Sequence, residues 1–250
     1  MSKLFAKTIN TTQVSDQMKQ DMFILFDRYY DNVNKEKFIS DFNSKDKVII
    51  LRDKTGLIRG FSTIKELKIE LESEVIWGIF SGDTVIDLNF WGGSELAVEF
   101  FKNVLKAKAK HPFCEVYWFL ISKGYKTYLL LANNFKTYYP RYDKDTPERH
   151  QKIIKQFGTN LFGRLYQSDK FLLSSANMFD RLKQSVAPIS DSLLKCNPKI
   201  AYFQKMNPHW QEGDELCCIG RVDFGLITQF TTRTFSKQLK KRASLMIKER

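Results

Sequence analysis

The feature that most constrains this fold is a β-rich run that leads through a glycine turn into a long amphipathic helix. Residues 75–80 read Val-Ile-Trp-Gly-Ile-Phe and residues 84–86 read Thr-Val-Ile, with a break at 81–83. Gly92-Gly93-Ser94 then opens a helix predicted from Glu95 to about Lys108. The first N–H groups of such a helix are unpaired, and glycine lets an anion approach them. The pattern predicts an anion site or, alternatively, an ordinary two-glycine turn.

Hydrophobic periodicity predicts the elements on either side of this turn. Before it lie a strand over 4–9, a helix capped by Ser15, a shorter helix around Phe38 and Phe42, and a hairpin with strands at 48–51 and 57–64. After it come a sheet-centre strand over 116–121, a helix over 125–135, a mainly helical stretch over 147–187 with a break near 158–163, a loop over 188–198, and closing strands over 201–203 and 216–222. We therefore predict one mixed α/β domain over 1–250, with a helical insertion at about 141–195 and a basic tail at about 233–250.

The charge balance restricts the partners. Lysine and arginine number 40 against 28 acidic residues, a formal charge of +12. A surface this positive attracts nucleic acid, anionic membrane, or an acidic small molecule or protein. No nucleic-acid-binding signature accompanies the charge, so we expect no nucleic-acid partner, and binding driven by charge alone is a minor alternative.

Cysteine spacing and hydropathy restrict the compartment. Cys114, Cys196, Cys217 and Cys218 form no C-x-x-C pattern, which predicts reduced thiols in a cytoplasmic protein rather than a disulfide framework or zinc site. No window approaches the roughly 18 consecutive apolar residues of a transmembrane helix, so we expect no spanning segment. The 21 phenylalanines are either core filling or the lining of a site for a long apolar chain.

The order of predicted elements carries a resemblance to a known family. A strand, two helices, an antiparallel meander, a glycine-opened helix, a central strand, a helix and final strands follow one another over residues 4–140 and about 200–222. This order resembles the GNAT superfamily of N-acyltransferases. The resemblance implies an α/β fold of the α+β type, with a mixed, mostly antiparallel sheet flanked by helices.

In that family, backbone amides of the turn after the fourth strand hold the phosphates of coenzyme A or the phosphopantetheine of a carrier protein. The matching run here is Asn89-Phe90-Trp91-Gly92-Gly93-Ser94. Gly92 fits the family pattern, whereas Asn89 stands at the basic position and Ser94 at the last small one. Because Asn89 carries no charge, the turn lacks a charge-assisted contact to a diphosphate. This lack favours an acidic acyl carrier protein over free coenzyme A as the donor. The resemblance thus implies an acyl-CoA or phosphopantetheine-linked donor as substrate, and no metal.

The resemblance also implies where the reaction takes place. A thioester would lie between two parallel strands that splay apart near 84–86 and 119–121, with the N–H of Val85 or Ile86 polarising its carbonyl oxygen. Trp91 would pack on the acyl chain or the pantetheine arm, or alternatively anchor the core.

Four side chains are candidates for proton transfer. Asp83 and Asp87 flank the end of the key strand and are candidate bases, as is Glu74 at its start. Alternatively, Asp83 lies in a solvated turn, and the carboxylate of Asp87 caps the turn. Leu130 stands where the family keeps its leaving-group tyrosine, so Tyr128 is a substitute acid.

These inferences predict an N-acyltransferase. It would transfer a medium- or long-chain fatty acyl group from the thioester to an amine by direct attack in a ternary complex. The acceptor, whether amino acid, peptide side chain or polyamine, is left open by the sequence. The alternative is a non-catalytic relative that binds an acyl thioester or a carrier protein.

Overall fold

The computed structural model describes residues 4–174, 180–183, 185–223 and 225–226, so the predicted tail at 233–250 lies outside the described residues. The described strands are β1 Phe5–Asn10, β2 Tyr30–Asp31, β3 Lys47–Arg52, β4 Ile58–Leu71, β5 Glu74–Ile86, β6 Glu115–Ser122, β7 Tyr138–Tyr139, β8 Tyr166–Gln167, β9 Leu172–Leu173, β10 Arg181–Leu182 and β11 Glu215–Arg221. The described helices are α1 Asp16–Asp27, α2 Lys35–Asn43, α3 Glu95–Lys110, α4 Tyr125–Asn134, α5 Glu148–Phe162, α6 Asp191–Cys196 and α7 Pro198–Met206.

One large sheet organises the described part of the chain. Its strand order is β1-β3-β4-β5-β6-β11-β9-β8, and β7 pairs with β11. β5 and β6 run parallel, while the pairs on either side of them are antiparallel. β2 and β10 form a separate two-stranded sheet. This arrangement confirms the predicted fold class, and the order from β1 to α4 is the one that the GNAT resemblance implies.

Hydrophobic cores lie on both faces of the sheet because successive side chains of a strand point to opposite faces. On one face, Trp118 of β6 packs with residues of α3, α4 and α7. On the other face, its neighbour Phe119 packs with residues of α5. The same face carries α1 and α2, which pack against Val48 of β3. The helices α2 and α5 therefore flank the middle of the sheet from one side.

Local signals explain several element boundaries. Ser15 Oγ accepts a hydrogen bond from the N–H of Met18 at 3.3 Å and so caps α1, as predicted. The predicted break in β5 is a β-bulge. Thr63 lies opposite Gly82 and Phe61 opposite Val85, so the two residues 83 and 84 of β5 face one residue of β4. The extra residue, Asp83, has a positive φ of 36°.

The segment after β7 differs from the prediction of a mainly helical stretch. α5 runs unbroken through Gly158 and ends at Phe162, and the described residues 163–187 contain the short strands β8, β9 and β10. Gly158 serves close packing rather than a break, because a Cβ there would lie 2.8 Å from the ring of Tyr166. The predicted helical insertion is therefore mixed in structure.

Two further predictions near residue 200 are wrong. The predicted loop over 188–198 contains α6, and the predicted strand over 201–203 lies within α7. Asn197 Oδ1 accepts a hydrogen bond from the N–H of Lys199 at 3.1 Å, and Pro198 begins α7. This cap starts a helix that buries Ile200 and Phe203 on one side, and it overrides the strand preference of the aromatic residues.

Candidate functional site

The parallel strands β5 and β6 diverge at their carboxyl ends. Their pairing begins at Ile76 opposite Glu115 and ends at Ser81 opposite Leu120. Beyond that point β5 continues against β4 as far as Ile86, and β6 continues against β11 as far as Ser122. The two strands therefore leave a gap between them, at the place that the resemblance implies.

One backbone N–H of β5 points into this gap. Ile86 lies opposite Gly60, and the next N–H, that of Asp87, donates to Arg59 O at 2.8 Å. A pair flanked in this way is of the non-hydrogen-bonded kind, so the N–H and C=O of Ile86 point away from β4. The carbonyl of Ile86 does point away from β4, because its oxygen accepts a hydrogen bond from Trp91 Nε1 at 2.8 Å. By the same alternation, the N–H of Val85 donates to the carbonyl of Phe61. Of the two predicted donors to the thioester oxygen, it is therefore Ile86 whose N–H faces the gap.

The turn after β5 is held by its own side chains. Asp87 is buried, and its Oδ1 accepts bonds from the N–H of Asn89 at 3.1 Å and from Asn89 Nδ2 at 3.0 Å. Arg59 lies 3.7 Å from the other oxygen. The carboxylate of Asp87 thus caps the turn, which was the alternative to its role as a base. Asn89 is likewise engaged within the turn.

The glycine pair places the start of α3 as the sequence predicts, with one addition. Gly92 has a φ of +87°, a conformation that favours glycine. Ser94 precedes α3 without a side-chain capping bond. The carboxylate of Glu95 instead folds back against Gly93 and fills the space of a Cβ there. The ring of Trp91 is covered by Lys126, whose Nζ lies 3.5 Å from its centroid.

Six charged side chains gather in the gap, and we name them the gap cluster. They come from α2 and its end, from the bulge of β5, from the end of β6, from the residue before β10 and from the start of β11: Asp41, Lys45, Asp83, Lys123, Asp180 and Glu215. Lys45 Nζ lies 2.5 Å from Asp41 Oδ2. Lys123 Nζ lies 2.5 Å from Asp180 Oδ2 and 3.4 Å from Glu215 Oε1. The cluster lies on the sheet face that carries α2 and α5.

Asp83 differs from the other carboxyl groups of the gap cluster. Among the described residues, no donor group bonds to its Oδ2, which is shut off from solvent. The residue as a whole is half-buried. The residue predicted either as a base or as a solvated turn is thus a half-buried carboxyl with one oxygen away from water.

Burial sets the ionisation of the gap cluster. Burial, and then the nearby charge of Asp41, raises the pKa of Asp83 to about 8. Burial likewise raises the pKa of Glu215 to about 7, against the opposing effect of Lys123. The pKa of Lys123 moves up, because Glu215 and Asp180 outweigh the effect of burial. The pKa of Asp41 is lowered, because the effect of Lys45 and the smaller effect of Asp83 outweigh that of burial. A carboxyl with a pKa near neutrality has the ionisation required of a general base.

Tyr128 lies in a different place. It is fully buried, and its hydroxyl donates to the carbonyl of Pro140 at 3.1 Å. Its ring packs on that of Phe203 in α7, with centroids 5.9 Å apart. Burial raises its pKa further above the ordinary tyrosine value. The structure therefore brings Asp83 and Ile86 to the gap, places Asp87, Asn89, Trp91 and Gly92 in the adjoining turn, and leaves Tyr128 in the core.

Sequence reasoning missed the other five members of the gap cluster: Asp41, Lys45, Lys123, Asp180 and Glu215. One signal was present: Lys123 follows the apolar strand β6, and Glu215 precedes the apolar residues of β11. In an antiparallel pair the end of one strand meets the start of the other, and Ser122 indeed lies opposite Leu216. Asp180 carried no such signal because it precedes a strand of two residues.

A second group of charges lies at the opposite end of β5 and β6, and we name it the rim cluster. It comprises Glu72, Glu74, Glu115, Arg149 and Lys152. Arg149 bonds to Glu74 and lies 3.1 Å from Glu115. A cleft of about 580 Å³ opens beside it, lined by Glu74, Val75, Phe113, Cys114, Glu115 and Arg149. Glu74 is thus far along β5 from the gap.

Other expectations concern metals, thiols and membranes. Among the residues that the structure describes, no group of three or more acidic, cysteine or histidine side chains is arranged to hold a metal ion. The four cysteines are unpaired, and Cys217 and Cys218 are buried on opposite faces of β11. Over the described ranges, no helix combines the length and the apolar character needed to cross a membrane.

Similarity to known proteins is found among solved structures. No protein-family model and no curated protein sequence matches the chain. Among solved structures, a probable N-acyltransferase of unknown function from Enterococcus faecalis aligns with 52% of this chain at 11% identity and a TM-score of 0.40, and the match spans only 32% of that protein. The GNAT family N-acetyltransferase YhbS from Escherichia coli, in complex with CoA, aligns at 9% identity over 54% of this chain and 70% of its own, with a TM-score of 0.38. Escherichia coli ElaA aligns at 15% identity over 58% of this chain and 95% of its own, with a TM-score of 0.37.

Proposed function

We propose that this protein is an N-acyltransferase of the GNAT type that moves an acyl group from a thioester to an amine. One observation carries the proposal. The carboxyl of Asp83 lies at the strand gap into which the N–H of Ile86 points, three residues along the same strand. Burial raises the pKa of this carboxyl to about 8, and a base together with an oxyanion donor is what acyl transfer requires.

The N–H of Ile86 would serve the donor half of the reaction. A thioester in the gap would accept a hydrogen bond from it, and the bond would strengthen as negative charge develops on the carbonyl oxygen. Donors of this kind contribute about 2.7–4 kcal/mol to enzymatic acyl transfer. Trp91 fixes the strand end, because its indole N–H bonds to Ile86 O at 2.8 Å.

Asp83 would serve the acceptor half. In its ionised form it accepts one proton from the ammonium group, which leaves a free amine to attack the thioester carbon. The attack forms the C–N bond and gives a tetrahedral intermediate, and collapse of this intermediate breaks the C–S bond. The second amine proton leaves with the thiolate as a thiol. The products are an amide, a thiol and a protonated Asp83, so atoms and charge balance.

The donor would carry its phosphate at the turn of Trp91 to Ser94. Two features of this turn argue against a diphosphate. Asn89 is engaged with Asp87, and the carboxylate of Glu95 lies against Gly93. A phosphopantetheine arm with a single phosphate meets less repulsion there, and the net charge of +12 favours an acidic carrier protein as its bearer. Acyl-CoA is the other donor within the proposal.

The length of the acyl group is proposed from composition. The abundance of phenylalanine suggested a medium or long fatty chain. In the structure many of these rings contact one another within the cores, as Phe38 does with Phe26 at 5.4 Å and Phe61 at 6.1 Å between centroids. Ring packing of this kind accounts for much of the aromatic content, so the fatty chain rests on composition alone.

The test is an acyl-transfer assay on the full chain. Acyl-CoA donors from acetyl to palmitoyl, and a palmitoyl carrier protein, are offered with a mixture of primary amines, and thiol release and amide mass are followed. We expect thiol release that depends on the amine. Ile86→Pro removes the N–H without removing a ladder bond, and it should lose about 10²–10³-fold more activity than Ile86→Ala. Equal losses in the two folded variants would contradict the role of this N–H.

A second candidate is a non-catalytic relative that binds an acyl thioester or carrier protein. The occupation of the donor turn by Asn89, Asp87 and Glu95 favours it. Such a protein would be thermally stabilised by acyl thioesters and would release no thiol with any amine. The same assay, read together with a melting curve, separates the two candidates.

A further inference from the structure

We propose that residues 180–183, which we name the strap, close the gap on the sheet face of the gap cluster, and that Lys123 latches the strap through Asp180. When the strap lifts, Lys123 keeps Glu215 as its partner and the gap opens to the acceptor. The inference deepens the proposed function and rests on it, because it concerns access to the same site. It adds a conformational step that precedes the chemistry.

The strap and its partner strand reach from the end of β5 to the end of β6. The strand of the strap, β10, pairs antiparallel with β2, which follows α1. On the β5 side, the hydroxyl of Tyr29 accepts a hydrogen bond from the N–H of Leu88 at 3.0 Å. On the β6 side, Asp180 Oδ2 lies 2.5 Å from Lys123 Nζ. The pair of strands thus has an attachment beyond each of the two strands that border the gap.

The inner side of β2 and β10 faces the end of β6. Tyr30 and Leu182 lie opposite each other, so their side chains share one side of the strand pair. Lys123 Nζ lies 5.4 Å from the centre of the Tyr30 ring. A methyl group of Leu182 lies 3.0 Å from the position that a Cβ of Gly124 would take. Both inward side chains therefore contact the residues that directly follow β6, and the strap covers this end of the gap.

The latch is a lysine with two carboxylate partners on different parts of the fold. Lys123 Nζ lies 2.5 Å from Asp180 Oδ2 and 3.4 Å from Glu215 Oε1. Glu215 begins β11, a strand of the large sheet, whereas Asp180 belongs to the strap. When the strap lifts, Asp180 passes to water and Lys123 keeps Glu215. Opening therefore leaves no enclosed cation without a partner, which would be costly.

The backbone of the strap has a short pairing that can open by itself. β10 pairs with β2 over two residues and lies outside the large sheet. Lys183 extends this pairing, because its N–H donates to Tyr29 O at 3.0 Å and its ammonium group to Asp27 O at 2.8 Å. Two strands of this length are marginally stable on their own. The strap can therefore open without unfolding of the sheet beneath it.

The first experiment measures opening of the strap and needs no acyl donor. Hydrogen exchange of the Lys183 N–H is followed on the full chain, because its bond breaks when the strap lifts. Asp180→Asn weakens the latch and should speed this exchange about tenfold, as loss of a charge-assisted bond does. Glu215→Gln removes the carboxylate that Lys123 keeps in the open state, so it should slow the exchange about threefold. Asp21→Asn, on an exposed carboxyl of α1, should exchange as the wild type.

Opposite effects of the two variants distinguish a latch from an ordinary ion cluster. In an ordinary cluster, loss of either carboxylate would loosen the strap and speed the exchange of the Lys183 N–H. The N–H of Phe119, in the buried centre of β6, serves as the reference for global unfolding. Exchange of Lys183 that is unchanged or faster in Glu215→Gln, or unchanged in Asp180→Asn, would overturn the latch.

The second experiment locks the strap with a disulfide. Asp31 and Arg181 lie opposite each other on the outer side of the strand pair. By the alternation of the ladder theirs is a hydrogen-bonded pair, with Cα atoms about 5.5 Å apart, a distance that suits a disulfide. Asp31→Cys/Arg181→Cys is made together with Cys114→Ser and Cys196→Ser, because these two native thiols are not buried.

Two readouts compare the locked protein with the same protein reduced by a phosphine. Pulsed acetylation with acetic anhydride measures access to Lys123 beneath the strap, with the exposed Lys102 as reference. The disulfide should lower acetylation of Lys123 about tenfold, because the cross-link restricts opening, and reduction should restore it. In the transfer assay, amide formation should fall and recover in the same way. The two single-cysteine variants should not respond to reduction.

The outcomes separate the strap from the proposed function. Equal acetylation of Lys123 in the locked and reduced forms would overturn the strap, and so would equal rates of amide formation. Absence of amide from every donor in the reduced form would instead overturn the proposed acyl transfer. In that case the exchange and acetylation results would still decide whether the strap opens and whether Lys123 latches it.

Discussion

Charged side chains gather at both ends of the parallel pair β5 and β6, and their composition is similar. At the starting end, the rim cluster is open to solvent, and hydrogen bonds from Lys152 lower the pKa of Glu72 while bonds to Glu74 raise that of Arg149. At the other end, the gap cluster is enclosed, and burial raises the pKa of Asp83 to about 8 and that of Glu215 to about 7. The same residue types form a network of ion pairs in the rim cluster. In the gap cluster they include two carboxyl groups whose pKa lies near neutrality. Exclusion of water, and not the number of charges, makes the difference.

The largest expected effect separates the two ends by activity. Asp83→Asn removes the proposed base and should lower kcat/KM by about 10²–10⁴-fold, the usual contribution of a general base. Glu74→Gln, at the other end of the same strand, should change it less than twofold. The check is a steady-state assay with the best donor and amine found. A loss in Glu74→Gln as large as that in Asp83→Asn would move the site to the rim cluster.

The next effect concerns stability. Lys123→Met removes the cation that serves Asp180 and Glu215, and should cost about 3–5 kcal/mol in the free energy of unfolding because two enclosed carboxyl groups lose their partner. Arg149→Met breaks ion pairs with Glu74 and Glu115 that lie in contact with solvent, and should cost less than about 1 kcal/mol. Urea unfolding at neutral pH measures both. Similar costs would mean that the two clusters are equally solvated.

A third effect is in the pH dependence of stability. Folded Asp83 keeps its proton at pH values where an unfolded aspartate, with a pKa of about 3.9, has lost it. The folded state then binds more protons, so this group makes the free energy of unfolding fall as pH rises from about 4 to about 8. In Asp83→Asn this contribution should vanish.

Melting temperatures of the wild type, Asp83→Asn and Asp21→Asn between pH 4.5 and 8.5 check this effect. The wild type and Asp21→Asn should fall together as pH rises, and Asp83→Asn should fall less. Parallel curves for all three proteins would show that Asp83 ionises normally in the folded state. The comparison between the two clusters would then lose its physical basis.

The fold was predictable where local signals act over short stretches of chain. Ser15 capped the first helix, and the break at 81–83 foretold the bulge. The strands β3 to β6 and the helices α3 and α4 followed from periodicity. The segment 198–206 failed because Tyr202 and Phe203 read as a strand, while a cap at Asn197 starts a helix. A capping contact between neighbouring residues determines the secondary structure of such a stretch. Periodicity over only three residues does not distinguish a strand from a helix.

The candidate site was predictable only in part. Asp83 and Ile86 were named because they follow one strand, but the environment of Asp83 depends on Asp41, Lys123 and Glu215, which are distant in sequence. No spacing reveals that such residues meet. Asp87 shows the opposite case: its turn-capping bonds to Asn89 are local, so the alternative drawn from the sequence was sufficient.

The bulge in β5 has a consequence for how this strand tolerates change in length. A bulge accommodates one additional residue opposite a single partner, so the pairing on either side of it is kept. Deletion of one residue between Gly82 and Val85 would leave Val85 opposite Phe61 and Ile86 opposite Gly60, and it would join the two halves of β5 into a continuous ladder. The strand can therefore lose the residue that brings a carboxyl to the gap and still keep the amide that faces it.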